Sequence, residues 1–266
     1  MIDGAIPYLR CPVCREPLSR QDRALRCPRG HSFDMAKQGY ADLSAGRLPH
    51  VGDTAEMVAD RAGFLAAGHY DFIAGALARH TTEGLVLDAG VGTGDYLARF
   101  LESSPLATGL GLDVSKPALR RAARAHPRAA AVLSDLWRPL PVADACAAVI
   151  LNVFAPRNGP EFHRVLRPDG VLLVVTPAAD HLTELISAHG LIQVDPDKAA
   201  RVGNSLDEHF RLDDSEEIRT KADLTAQEAR TLIGMTPSAR HLQADTLTVT
   251  DTTVTTAVRI SAYRRR

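Results

Sequence analysis

GLVLDAGVGTGDY, residues 84–96, sets a short apolar run ending in an acid against three glycines and the start of a helical pattern. Leu85, Val86 and Leu87 read as a strand closed by Asp88, and Gly90, Gly92 and Gly94 read as a tight turn into a helix. Glycines let backbone approach a ligand where a Cβ would collide, and a helix start offers free N–H groups. The stretch predicts a nucleotide-like cofactor on a Rossmann-like α/β sheet.

The dinucleotide fingerprint requires Gly-x-Gly-x-x-Gly, and the phosphate loop requires Lys followed by Ser or Thr; neither is present. Asp88 is wrong for a pyrophosphate and suits a ligand with a cationic amino-acid end, such as S-adenosylmethionine (SAM). About twenty residues further on, GLGLDVS ends a second apolar strand in Asp113, placed to accept hydrogen bonds from both ribose hydroxyls. Loop and acid together favour a SAM-dependent methyltransferase domain over an NAD-binding one.

The chain has 266 residues, enough for one sizeable α/β core and a small accessory unit. Its 45% hydrophobic and 24% charged content is that of an ordinary globular protein. No apolar run approaches a membrane span and no basic region with an apolar core opens the chain, which predicts a cytoplasmic protein. A net charge of −1 gives no global pull toward nucleic acid, so any such contact must come from local patches.

CPVC and CPRGH supply the first such patch. Cys11 and Cys14 form one pair, twelve residues intervene before Cys27, and His31 completes a Cys3His set of two short knuckles. A redox pair would sit in a βαβ context, and disulfides do not persist in a reducing compartment. With four protein ligands and no open position, the predicted zinc is structural, and it supplies on the order of 10 kcal/mol to a segment too short for its own core. Six arginines (Arg10, Arg15, Arg20, Arg23, Arg26, Arg29) face two acids in residues 10–31, which makes either an RNA-contacting surface or a solvated charged face. Cys146 reads as a buried small hydrophobe in an apolar strand.

Further along, Phe33, Tyr40 and Leu43 are available to pack, and residues 54–67 have helical spacing with Asp53 or Thr54 as cap. A second helical piece carries Tyr70, whose plain reading is helix packing. Residues 115–125 read as a helix capped by Ser115 and carrying Lys116, Arg120, Arg121 and Arg124, with Arg128 beyond, either a phosphate-holding face or a solvated one. Strands are predicted in AAAVL, ACAAVILNV and VLLVVTP, with a helix and the turn RPDG between the last two. Residues 195–209 read as helix, 211–222 as strand, 225–235 as a helix opened by the capping box Thr225 and Glu228, and 253–263 as a strand completing the sheet.

CPVC, CPRGH, FDMAKQGYADL, GDTAEMVADRAGFLAAGHY, LDAGVGTGDY, GLDVSKPALRRAARAHP, LNVFAPRN, RVLRPDG, VVTPAADHLTEL and MTPSAR together resemble the RlmA family of 23S rRNA (guanine-N1)-methyltransferases, especially its actinobacterial tylosin-resistance (TlrB-like) branch. The resemblance runs from the zinc motif to about residue 239. It implies SAM and structural Zn2+ as cofactors, 23S rRNA as partner, no membrane, room for a homodimer, and methylation of a hairpin-loop guanine with macrolide resistance as the effect. It divides the chain into a zinc-binding RNA-recognition module (1–46), a helical linker (47–80) and a SAM-dependent methyltransferase domain (81–266).

For the cofactor the resemblance implies contacts from Tyr70, Gly92, Thr93 and His181, beside Asp88, Gly90, Gly94 and Asp113 from the motif. In SAM folds the loop after the third strand flanks adenine, so Ser134 and Asp135 are candidates for the exocyclic amine and Leu136 or Trp137 for the ring face. Trp137 stacks on a base or covers the sheet edge. The resemblance makes NVFAP the catalytic edge, with Asn152 hydrogen-bonding a guanine and Phe154 stacking on it. RlmA-like sequences often have a tryptophan after MTP, and MTPSARH has none. Two other classes remain: a small-molecule methyltransferase, opposed by the zinc knuckles, and a silent zinc-stabilised RNA-binding protein, opposed by the intact glycine loop.

Overall fold

The computed structural model describes residues 2–195, 197–241 and 247–266. From the N-terminus, α1 (Ile2–Ala5) leads into a small antiparallel sheet of β1 (Ser19–Gln21), β2 (Ala24–Arg26) and β3 (Ser32–Asp34). β4 (Ala41–Asp42), α2 (Ala55–Ala66) and α3 (Asp71–Leu77) follow. The predicted alternation then appears as β5 (Gly84–Ala89), α4 (Asp95–Ser103), β6 (Ala107–Asp113), α5 (Lys116–Ala125), β7 (Ala129–Leu133), β8 (Ala147–Val153), α6 (Gly159–Val165) and β9 (Leu166–Pro177). The remainder forms α7 (Thr183–His189), α8 (Lys198–Leu206), β10 (Phe210–Leu224), α9 (Ala226–Gly234) and β11 (Thr252–Arg265).

The large sheet runs β10-β11-β9-β8-β5-β6-β7-β4, with β11 antiparallel to both neighbours and the other pairs parallel. β8 is buried along its whole length, as a central parallel strand must be. β10 stands at the opposite extreme, an edge strand whose outward charges deter pairing with another chain. The predicted caps are present: Thr54 accepts from Met57 N, Ser115 from Ala118 N, and Thr225 with Glu228 closes a reciprocal box. RPDG departs from the predicted turn. It lies within β9, where the register with β8 jumps between the pairs Ala147–Leu166 and Val149–Val171, so these four residues bulge from a continuous strand. Cys146 also departs: it lies one residue ahead of β8, half-buried, with its thiol donating to Ala143 O.

The first 46 residues do not form a separate globule. Ile2, Ala5, Leu9, Leu18 and Leu25 share one core with Leu85, Leu87, Leu110, Leu112 and Val132 of the large sheet. Leu9 bridges to Val142, Arg10 N donates to Pro141 O, and Ala143 N donates to Tyr8 O. The Arg15 guanidinium donates to the carbonyls of Leu140 and Val142, and β4 extends the sheet beyond β7. The zinc knuckles thus cover a sheet face that α6 and α8 continue, while α2, α3, α4, α5, α7 and α9 cover the other.

A shared core predicts shared melting. Leu9→Ala, at a fully buried position, should lower stability by roughly 2–5 kcal/mol and shift one cooperative urea transition seen by all probes. A separate early transition confined to the N-terminal segment would contradict this packing.

Candidate functional site

Tight turns bring Cys11, Cys14, Cys27 and His31 together so that one ligand atom from each lies within 4.8 Å of all the others. Arg15 N donates to Cys11 O and Gly30 N to Cys27 O, and these turns give each knuckle its bend. Three sulfurs and one imidazole nitrogen at this spacing fit a tetrahedral zinc ion.

At the carboxyl end of β5 the three loop glycines all have positive φ, which L side chains rarely adopt. A Cβ on Gly90 would stand 2.4 Å from Ala155 Cβ, and one on Gly94 would stand 2.9 Å from Ala122 Cα, so the cradle exists only with glycine. Asp88 is buried beside it, and its Oδ1 has no hydrogen-bond partner. Burial, reinforced by the charge of Asp113, pushes its carboxyl up to about 8. Asp113 accepts from Gly92 N through Oδ2 and from Ser115 N through Oδ1, and burial raises its pKa as well. An orphaned carboxylate oxygen, a Cβ-free cradle and a second acid fit a cofactor with a cationic end and a ribose. Thr93 is buried within the same turn.

On the far side, Ser134 and Asp135 are buried at the end of β7. Asp135 accepts from His50 Nδ1 at 2.8 Å and from Trp137 N at 3.0 Å. Trp137 is 56% exposed, with its ring 6.4 Å from that of His50. Leu136, by contrast, is buried. His50 opens a strap, residues 50–53, across the sheet end: Ser115 Oγ donates to Asp53 O, and Arg240 donates to the carbonyls of Val51 and Gly52.

Three aromatic side chains from separate elements meet at the third side. Tyr70, Phe154 and His181 have ring centroids 6.1 to 6.3 Å apart. His181 Nδ1 accepts from Ala257 N, so the neutral ring carries its proton on Nε2, 3.2 Å from the Tyr70 hydroxyl. That tautomer has no lone pair at Nε2 and cannot act there as a base. Phe154 is 37% exposed at φ +53°, a conformation that costs a non-glycine residue energy and recurs at ligand sites. Asn152 is fully buried, and its Nδ2 donates to Ala89 O at 3.0 Å and Pro156 O at 2.8 Å. Its donors are spent on backbone, tying the 154–156 turn to β5, while its buried Oδ1 has no hydrogen-bond partner among the described residues and is the atom left to meet a ligand.

Asp53 and Arg61 lie in the GDTAEMVADRAGFLAAGHY block and His50 just ahead of it, but nothing in their local pattern assigned them to the site, and only the fold brings them there. Arg61 donates from Nη2 to Asp53 Oδ2 at 2.7 Å and to Met235 O at 3.1 Å, and its Cδ lies 3.6 Å from where a Gly92 Cβ would be. The basic residues are redistributed too. Arg10, Arg15, Arg20, Arg26 and Arg29 all contact protein acceptors, and Arg128 is anchored on the carbonyls of Leu101, Ser104 and Ala107. Arg120, Arg121 and Arg124 are exposed on α5 and have no partner among the described residues. Gly39 of the N-terminal segment abuts Ala123 on the same helix.

Residues 9–44 match the family model for the RlmA N-terminal zinc ribbon, and residues 86–170 match a methyltransferase domain model. The chain is 55% identical to a Micromonospora griseorubida protein described as a 23S rRNA (guanine-N1)-methyltransferase, over 97% of this chain and 98% of that one. It is 47% identical to the 23S rRNA (guanine(748)-N1)-methyltransferase of Streptomyces fradiae, over 93% and 91% of the two chains. Among solved structures, a chain of the Haloferax volcanii complex between the Trm112 methyltransferase activator and a methyltransferase superposes with a TM-score of 0.53 at 16% identity, covering 81% of this chain and 98% of that one. The fold and the zinc module expected from residues 84–96 and 11–31 are both present.

The buried Asp88 carries a linkage consequence. Its folded pKa lies above the ordinary carboxylate value, so between about pH 4 and 8 the unfolded chain ionises first and stability falls as pH rises. Asp88→Asn removes that loss. Thermal melts should show the variant gaining on the parent from pH 4 to 8, with the gap constant above 8; a pH-independent difference would place the carboxyl in a solvated site.

Proposed function

The chain belongs to the family of RlmA-type 23S rRNA (guanine-N1)-methyltransferases, and from this premise we propose that it methylates N1 of a hairpin-loop guanine in 23S rRNA. The observation that carries this reading is the single chain holding both the zinc ribbon and the methyltransferase domain, aligned end to end with relatives of that name. A ribosomal substrate puts the reaction in the cytoplasm, and among the described residues no helix is long and apolar enough to cross a membrane. The tylosin-type likeness supports macrolide resistance as the biological effect.

SAM supplies an electrophilic methyl group on a sulfonium; transfer to N1 displaces the N1 proton to solvent and leaves S-adenosylhomocysteine. The chain's own residues prepare the two partners. Asp88 offers its unpaired oxygen to the ammonium end, the turn of Gly90, Gly92, Thr93 and Gly94 admits the cofactor backbone, and Asp113 receives the ribose. Ser134 and Asp135 flank the adenine end, with the His50 strap over it. Tyr70 and His181 wall the cofactor beside Phe154, which, exposed and held in its strained turn, provides a face for the target base. Asn152 is a positioning residue that keeps this turn in place. No side chain here is arranged as a strong base, so catalysis rests on alignment, which supplies much of the rate in such transfers. Flipping a base costs least in a loop, and the free cations of α5, next to the zinc module, suit the flanking phosphates.

A methyl on N1 blocks pairing and stops reverse transcriptase. Primer extension on rRNA from cells with the gene should show a stop in a 23S hairpin loop that is absent without it; no new stop would overturn the assignment. Asn152→Ala should reduce turnover about a hundredfold by loosening the turn, with S-adenosylhomocysteine affinity changed far less. Full turnover in that variant would remove the NVFAP edge from the pocket.

A further inference from the structure

Arg61 does more than its hydrogen bonds account for. Nη2 alone fastens the strap and the end of α9, through Asp53 and the Met235 carbonyl. Nε is buried without an acceptor, and Nη1 has none among the described residues. A buried guanidinium donor left unpaired is costly, and such groups ordinarily have a partner. The side chain lies against the glycine turn, and its charge is felt at Tyr70, Tyr96 and Asp113, which surround that turn. Asp53 is not reserved for Arg61, because Arg240 also stands 3.8 Å from it. Arg61 and Arg240 thus gather at Asp53 on one side of the turn, and the Asp88 oxygen without a partner lies at the end of β5.

The amino-acid end of the cofactor has the complementary charges, an ammonium and a carboxylate. We propose that Arg61 receives the carboxylate of SAM through its unpaired donors, while Asp88 takes the ammonium. This inference rests on the cofactor reading above and assigns to α2 a role in selecting an intact amino-acid end. It also links the strap to binding, because the guanidinium that meets the ligand is the one that holds Asp53.

Three ligands test it by calorimetry on the full chain without RNA. S-adenosylhomocysteine has the whole amino-acid end, S-adenosyl-3-thiopropylamine lacks only the carboxylate, and methylthioadenosine lacks the ammonium as well. The parent should prefer S-adenosylhomocysteine to the thiopropylamine by about ten- to a hundredfold, the range of a charge-assisted hydrogen bond. Arg61→Gln should abolish that preference while binding the thiopropylamine and methylthioadenosine as the parent does, and Arg61→Lys should retain part of it. Preference undiminished in Arg61→Gln, or absent in the parent, overturns the assignment, and so does loss of methylthioadenosine binding by the variant, which would make Arg61 a scaffold residue. A parent that binds none of the three overturns the cofactor reading itself, and this outcome is distinct from the others.

Discussion

A largely parallel sheet carries apolar side chains on both faces, and each face must be covered. Here the connection between β7 and β8 contains no helix, so the face over β5, β6 and β7 is left without its usual cover from that crossover. The N-terminal segment takes its place: Leu9, Leu18 and Leu25 lie in one core with Leu87, Leu112 and Val132. The metal knuckles that shape this segment therefore support the sheet on which the chemistry depends. Because β4 pairs with β7, the chain leaving the zinc module emerges at the sheet's carboxyl end and runs directly into the strap that begins at His50.

The site is organised by burial of acids that the protein itself does not neutralise. Asp88 is enclosed with one oxygen unpartnered, a state that a cationic ligand group relieves, while Asp113 is oriented by the backbone N–H groups of Gly92 and Ser115. Arg61 and Arg240 meet at Asp53 in the strap, so cationic side chains are already held beside the glycine turn. Local strain is concentrated at the acceptor side, where Phe154 is kept left-handed and half in solvent by a turn whose anchor is the Asn152 amide. Preorganisation is the common theme, as expected of an enzyme whose task is to align two reactants.

Much of this was legible in the residues. Glycines at 90, 92 and 94 require the conformations they adopt, the cysteine and histidine spacing allows one tetrahedral centre, and Thr54, Ser115 and Thr225 cap the helices they precede. Asn152 and the arginines of the zinc module were harder. Their side chains can serve a ligand, a nucleic acid or the neighbouring backbone equally well, and only the position of the carbonyls of Ala89, Pro156, Leu140 and Val142 commits the Asn152 amide nitrogen and the Arg15 guanidinium to backbone. RPDG has the composition of a turn and became a bulge because β8 continues to pair on both sides of it.

The sequence by itself determined the cofactor loop, the metal set and the kind of sheet, because each follows from the conformational freedom or ligand chemistry of residues close together in the chain. Tertiary structure alone decided that the zinc module is part of the sheet's core, that Tyr70, Phe154 and His181 form one wall, and that Arg61 faces the glycine turn. These are contacts between residues far apart in the chain, and no local pattern encodes a partner that only the closing of the sheet and the packing of α2 bring within reach.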